Sequence, residues 1–346
     1  MTGTITWKRI LNQLVAQQEL SPDQITWAMQ DIMSGSTPEA ILGAFLLGLH
    51  VKGETPAELA ALAQGMLDKA EPIEVTRDAV DIVGTGGDQQ NTVNISTMAS
   101  LVIAGAGVPV IKHGNRASSS SSGSADVLAE LGINLDLSVK DVAGAVDAAG
   151  ITFLFAQVFH PSMRYVAPVR RALGVPTAFN YLGPMTNPAR VRSSAIGVAD
   201  PAMAEKIAAV FASRGDHALI FRGNDGLDEI TITGASQVWE TTEGAVEHHV
   251  LAPTDFGIEL ASLDDLRGGD ARHNAQVFHE VLDGASGPIM NAVLLNAAAG
   301  LTAYRPVDHR PFAERFEDAL QEARRSVETG KAKAVLERWV SYSNSK

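Results

Sequence analysis

The chain has 346 residues, no cysteine, 45% hydrophobic and 19% charged residues, and a formal net charge of −13. That balance is globular rather than disordered, and the length suits one large domain or a large and a small one. The missing cysteine excludes disulfides, thiolate metal sites and a cysteine nucleophile, while the negative charge argues against a general nucleic-acid binder.

The opening MTGTITWKRILNQLV sets Lys8 and Arg9 in an amphipathic pattern and lacks the apolar core and cleavage site of a signal peptide. The longest apolar runs, AILGAFLLGLHV and MASLVIAGAGVPVI, are too short or too broken to span a bilayer, so the cytoplasm is the expected compartment. Residues 1 to about 70 read as helices only, beginning with Trp7, Ile10, Leu11, Leu14 and Val15 at helical spacing. Ser21-Pro22, Thr37-Pro38 and Thr55-Pro56 are start signals with proline at the first helical position. Gln24 and Glu58, three residues after Ser21 and Thr55, complete the pattern of a capping box. KAEPIEVTRD then breaks the helical pattern.

From Ala79 strands and helices alternate. AVDIV, VPVIKHG, INLDL and ITFLFA read as strands, separated by the helical NISTMASLVIAGAG, SADVLAELG and SVKDVAGAVDAAG. Such alternation predicts a parallel sheet covered on both faces. A proline-rich crossing fills 160 to 190 before the pattern resumes with SSAIGVA, a helix start at Asp200-Pro201, and HALIFRG. ITITGASQVWE and AVEHHVLAP add strands that could pair antiparallel, and the last third is helical. No internal repeat is present.

Ligands of open parallel sheets collect at the carboxyl ends of the strands. Three polar stretches fall at such ends: GTGGD, KHGNRASSSSSGSAD and FRGNDGLDE. In the first, Gly84, Gly86 and Gly87 permit positive φ and close backbone approach to an anion, although a plain glycine turn would read alike. Asn94, Ser96 and Thr97 follow at a helix start, where free amides and the dipole favour phosphate; simple capping is the alternative. The second joins a core strand to a helix, which is no place for a flexible linker. Lys112, His113 and Arg116, the Asn115 amide and the serine hydroxyls are what a multiply charged phosphate requires. In the third, Asp225, Asp228 and Glu229 would repel such an anion unless Mg²⁺ lay between them; a solvated acidic turn is the other reading.

Together, GTGGD, NIST, KHGNRA with SS and SGSAD, HPSMRYVAPVRRALGVPTAFNYLGPMTNPA and DGLDE resemble the anthranilate phosphoribosyltransferases. The match is ordered from about Asp81 to Glu229, with the helical start beside it. Val93, where phenylalanine is frequent, and Met185, where leucine is usual, are small departures from the pattern, and both stay apolar. The resemblance implies a type III phosphoribosyltransferase fold, similar to the nucleoside phosphorylases. A small all-helical domain, 1–72 joined by a crossing at about 162–188, would stand beside a larger α/β domain, 78–346, with a mostly parallel sheet. It also implies a homodimer through the helical domain. The implied reaction moves the phosphoribosyl group of 5-phosphoribosyl 1-diphosphate onto the amine of anthranilate, releasing pyrophosphate, in the second step from chorismate to tryptophan.

By the same resemblance, Gly84, Gly87, Asp88, Thr92, Asn94, Ile95, Ser96 and Thr97 would hold the sugar diphosphate. Lys112, His113, Gly114, Asn115, Arg116, Ala117, Ser118, Ser119, Ser120 and Ser124 would complete that pocket. Ser96, Asp228 and Glu229 fall on the magnesium positions, with two ions implied. Asn115 and Arg170 fall on the anthranilate positions, with Gly84, His113 and His160 along the same path. Arg170 could grip a carboxylate bidentately, but the doublet Arg170-Arg171 does not tell which side chain faces inward. His160-Pro161 could equally be a turn without a ligand. The serines are read as ligands rather than nucleophiles, and whether His113 takes a proton is left open.

Three other functions compete. A pyrimidine nucleoside phosphorylase of the same shape has less need of the acidic loop. A non-enzymatic nucleic-acid binder of this fold needs a strongly basic groove. A Rossmann dehydrogenase needs GxGxxG, which the spacing after Gly87 does not supply.

Overall fold

The computed structural model describes residues 4–116, 122–242 and 244–346. Ala117, Ser118, Ser119 and Ser120 of the expected cradle lie outside the described residues. The chain forms two compact units, Met1–Pro72 with Ala156–Pro188, and Ile73–Phe155 with Ala189–Lys346. Among the described residues no helix is long and apolar enough to cross a membrane.

The first unit is helical, opening with α1 (Trp7–Val15), α2 (Pro22–Ser34), α3 (Glu39–Lys52) and α4 (Pro56–Leu67). Both predicted capping boxes form. Ser21 and Thr55 accept the N–H groups of Gln24 and Glu58, whose side chains accept in return from the cap amides. Each satisfies two amides that a helix start would otherwise leave unpaired. The third start signal is shifted: the Thr37 hydroxyl donates to Asp31 Oδ2 at 2.6 Å, and Pro38 stands at the cap of α3 rather than inside it. Ile25, Ile32, Phe45, Leu46, Leu59 and Leu62 are buried along the helices.

The second unit runs β1 (Val80–Gly84), α5 (Ile95–Gly105), β2 (Val110–Gly114), α6 (Ser124–Glu130), α7 (Val139–Ala149) and β3 (Ile151–Phe155). The chain then passes through α8 (Ala156–Phe159) and α9 (Ala167–Leu173) of the helical unit. It returns as β4 (Ser193–Gly197), α10 (Pro201–Arg214), β5 (His217–Gly223), β6 (Ser236–Thr242) and β7 (Ala245–Leu251). Four helices finish the unit: α11 (Ala271–Leu282), α12 (Pro288–Tyr304), α13 (Phe312–Glu328) and α14 (Lys331–Asn344).

The sheet order is β3-β2-β1-β4-β5-β6-β7. The strands from β3 to β5 are parallel, and β6 and β7 extend the edge antiparallel. β1 therefore feeds β2 on one side and β4 stands on its other side, which makes the β1/β4 boundary the topological switch point. Helix α12 packs under β1, β4 and β5 and against α5 and α13, so it is apolar on all sides and buried from Ala292 to Ala303.

INLDL, expected as a strand, is not one. Gly132, at φ 87°, ends α6, and the Ile133 N–H returns to Leu128 O at 3.0 Å. The Asn134 N–H goes to Ser343 Oγ at 3.1 Å, and Asp136 N–H bonds Asn134 Oδ1 at 3.0 Å. Backbone groups satisfied by a helix end and by side chains need no strand partner.

Candidate active site

At the switch point Gly84 of β1 is paired in register with Gly197 of β4. The loop after β5 lies directly on this pair. A Cβ on Gly84 would stand 2.2 Å from Asp228 Oδ2, and one on Gly197 would stand 1.6 Å from the Asp228 carbonyl oxygen. Two bare glycines thus make the seat on which the acidic loop rests. The loop is fastened from behind by Asn296 of α12, which accepts the Ile230 N–H at 2.9 Å and donates to Ile230 O at 3.0 Å. Asp225 is engaged within its own turn. Its carboxylate takes the hydroxyls of Thr231 and Thr233, both at 2.6 Å, and shapes the turn.

The glycine loop after β1 is bound to the same carboxylates. Gly86 N–H donates to Asp228 Oδ2 at 2.7 Å, and Ser96 N–H, in the first turn of α5, donates to Glu229 Oε1 at 3.2 Å. Gly86 and Gly87 both have positive φ, at 70° and 86°. Gln89 and Asn91 adopt the same left-handed region at 59° and 52°, where a side chain is unfavourable. Tertiary bonds hold the Asn91 end of the loop: Gly268 N–H reaches Asn91 O at 2.8 Å, Val93 N–H reaches Leu266 O at 2.9 Å, and Thr92 bridges Arg267.

Asn94 stands at the cap of α5 without capping it. Its amide instead donates to Ser122 O at 3.0 Å, tying the helix start to the far end of the serine-rich stretch. Thr97 Oγ1 donates to Ser124 Oγ at 3.0 Å, a second tie between the same two segments. Asn274 of α11, buried at 1% exposure, sets the Asn94 amide by donating to Asn94 Oδ1 at 2.9 Å, while its own oxygen accepts the Gly269 N–H at 2.9 Å. No motif announced Asn274; the one trace in the sequence is an amide on the apolar face of a helix. Ile95 is buried beneath this turn.

From β2, Lys112 points inward and is buried; its ammonium donates to Ile82 O and, at 3.3 Å, to Ser96 Oγ. His113 is buried too, with its N–H on Asp81 Oδ1 at 3.1 Å. Gly114 lies against the Phe153 ring, where a Cβ would stand 2.8 Å away. Asn115 and Arg116 are exposed at the rim. Arg116 pairs with Asp126 at 2.8 Å and lies over the Phe155 ring, 5.6 Å from its centroid.

Burial, with the charge of Asp88 added, pushes the Asp228 carboxyl up to about 7, against the Gly86 N–H. Burial and the Asp228 charge hold Glu229 well above the usual carboxylate range, against Lys112 and the Ser96 N–H. Burial lowers the Lys112 ammonium, against Asp81, Glu229 and Asp228. A rim where carboxylates oppose one another's ionisation fits a hard divalent cation, which would relieve that repulsion. Ser96 Oγ, Asp228 and Glu229 could supply oxygen donors to such an ion, with the Asp88 charge acting on Asp228 beside them.

Glu240, Glu247 and His249 also place donor atoms within 4.8 Å of one another, on β6 and β7. Arg315 already holds Glu240 bidentately at 2.8 and 2.7 Å, with His217 and His249 alongside. The guanidinium supplies the positive charge a metal would bring, so this cluster is a structural ion network.

Arg170 and His160 belong to the helical unit. Arg170 is half-buried and its guanidinium donates to Asn180 Oδ1 at 3.2 Å, whereas Arg171 is exposed. His160 is buried, and its Nε2 donates to Thr186 O at 3.0 Å, closing the crossing segment.

Residues 76–333 match the glycosyl transferase family a/b domain, and residues 8–70 match that family's helical bundle domain. An anthranilate phosphoribosyltransferase of Arthrobacter sp. (strain FB24) is 54% identical over 98% of this chain and 96% of its own length. The crystal structure of anthranilate phosphoribosyltransferase from Thermus thermophilus superposes with a TM-score of 0.90 at 37% identity, covering 97% of this chain and 99% of that one. The Saccharomyces cerevisiae enzyme of that name, in complex with PRPP and Mg, superposes at 0.88 with 28% identity, covering 98% of each chain.

Proposed function

Since the chain belongs to the anthranilate phosphoribosyltransferases, within the glycosyl transferase family that joins a helical bundle to an α/β domain, we propose that the rim around Gly84 and Asp228 is where its sugar diphosphate is held. The enzyme transfers the phosphoribosyl group of 5-phosphoribosyl 1-diphosphate to the amine of anthranilate, giving N-(5-phosphoribosyl)anthranilate and pyrophosphate on the way from chorismate to tryptophan. It uses Mg²⁺.

In this reading the loop Gly84 to Asp88, the turn Thr92 to Thr97, and Lys112 to Ser120 with Ser124 hold the substrate's 5′-phosphate and its diphosphate. Ser96, Asp228 and Glu229 would hold two magnesium ions, which when bound disperse the negative charge gathering on the departing pyrophosphate. The observation that carries this is the pair of bonds Gly86 N–H to Asp228 and Ser96 N–H to Glu229, by which the anion loops and the acidic loop position each other. The C1–N bond forms as the C1–O bond breaks, the electron pair leaves with pyrophosphate, and the amine loses a proton. Loop amides and the α5 amino end are preset for that charge, so positioning and electrostatics carry the catalysis rather than a covalent nucleophile.

Asn115 and Arg170 are assigned to the anthranilate, with Gly84, His113 and His160 along its path; the half-buried guanidinium of Arg170 supports its role as carboxylate grip. We further assign a homodimer formed through the helical unit, a reading supported by Val15, Val51 and Leu47 at 83%, 65% and 42% exposure, and a cytoplasmic location. The direct test is loss of anthranilate fluorescence on addition of the ribosyl diphosphate with Mg²⁺. No loss under any metal condition would contradict the reading.

A further inference from the structure

We propose that Lys112 is a built-in counter-cation that keeps bare metal out of the acidic rim and admits metal carried on a pyrophosphate. The inference rests on the function given above and concerns how the metal arrives. Lys112 is among the largest fully buried side chains of the protein, and it comes from β2, behind the rim. Its ammonium donates to the Ser96 hydroxyl at 3.3 Å, and the Ser96 amide donates to Glu229 at 3.2 Å. One residue therefore links the buried cation to Glu229, one of the two carboxylates assigned to the metal. Asp81, Asp228 and Glu229 are the carboxylates whose field reaches the ammonium. Asp81 is itself buried at 1% exposure and accepts the neighbouring His113 N–H at 3.1 Å.

The consequence is a question of sign. A metal ion on Ser96 Oγ would share that oxygen with an ammonium already bonded to it. Two cations on one oxygen, withdrawn from bulk water, repel each other strongly. A bare dication is therefore opposed by Lys112. A dication wrapped by pyrophosphate brings excess negative charge, and the same ammonium then attracts the complex. A lysine that only supported the fold would, on removal, weaken both kinds of binding together. A counter-cation shifts them in opposite directions.

Calorimetric titration of the full-length protein separates the two. MgCl₂ alone is titrated first, then MgCl₂ in the presence of 5-phosphoribosyl 1-diphosphate, for wild type, Lys112→Met and Lys112→Gln. In either variant, affinity for Mg²⁺ alone should rise by about tenfold or more while affinity for the magnesium–diphosphate complex falls by about tenfold or more. Weakening of both, or no change in either, overturns the proposal. Should neither variant fold, wild type decides: Mg²⁺ alone must bind at least about a hundredfold more weakly than in the presence of the ribosyl diphosphate, and equal affinities overturn it. A wild type that binds no ribosyl diphosphate with any metal would instead refute the functional assignment.

Discussion

Gly86 and Asp228, 142 positions apart in the chain, are joined by a hydrogen bond of 2.7 Å from the glycine amide to the aspartate carboxylate. It fastens the loop after the first strand to the loop after the fifth, above a seat of two glycines.

That seat distinguishes two substitutions that look alike. Gly197→Ala drives a methyl group into the Asp228 backbone at 1.6 Å, so the whole acidic loop must lift; stability should fall by about 3 kcal/mol or more, with turnover lost. Gly84→Ala meets the Asp228 carboxylate oxygen at 2.2 Å, which a side-chain rotation can relieve. It should cost only about 1 kcal/mol while still cutting turnover about tenfold or more, because the displaced group is the proposed metal ligand. Denaturant melts beside steady-state rates check both.

Asn274 fixes the Asn94 amide, which the proposed function places against the sugar diphosphate. Asn274→Asp replaces the donor facing Asn94 Oδ1 with an acceptor, so the tie to Ser122 loosens. The KM for the ribosyl diphosphate should rise about tenfold, while that for anthranilate stays within about twofold. A uniform loss of kcat with both KM values unchanged would show a different role.

How much of this was legible beforehand follows from range. The capping boxes at Ser21 and Thr55 are local chemistry, three residues long, and the sequence displays them whole. The acidic loop and the glycine loop were visible as loops at strand ends, and the alternation of strands put them on one rim. INLDL alternates as a strand would, but the same apolar pattern suits a chain segment pinned by Ser343, 209 positions from Asn134. Asn274 leaves only an amide on the apolar face of a helix, and the ion network at Glu240 and the burial of Arg170 rather than Arg171 depend on packing of distant elements, which composition and spacing do not record.

The His160 imidazole is held neutral, its pKa lowered to about 4, chiefly by burial and against the bond to Thr186. The unfolded chain takes up the proton near its ordinary 6.5, before the folded one does. Stability from this group is therefore complete above about 6.5 and lost as pH falls towards 4, by about 3 kcal/mol at about 1.4 kcal/mol per pH unit. His160→Gln keeps a donor for Thr186 without a titrating group. Melts between pH 7 and 4 should show wild type losing stability more steeply than the variant, by about that amount.

Arg170→Ala should raise the KM for anthranilate about tenfold or more and leave that for the ribosyl diphosphate within about twofold, since a charge-assisted bond to a carboxylate is worth about 1.5–3 kcal/mol. Arg171→Ala, at the exposed neighbour, should change neither. Equal effects of Arg170→Ala on both substrates would remove it from the acceptor site.

The most direct measurement is the magnesium dependence of turnover, at saturating levels of both substrates, for wild type and for Asp228→Asn with Glu229→Gln. Wild type should require Mg²⁺, and the double variant, still folded by circular dichroism, should lose at least about a hundredfold in rate, since Mg²⁺ can no longer be held by those carboxylates. A folded double variant with the wild-type rate and magnesium requirement would contradict the account.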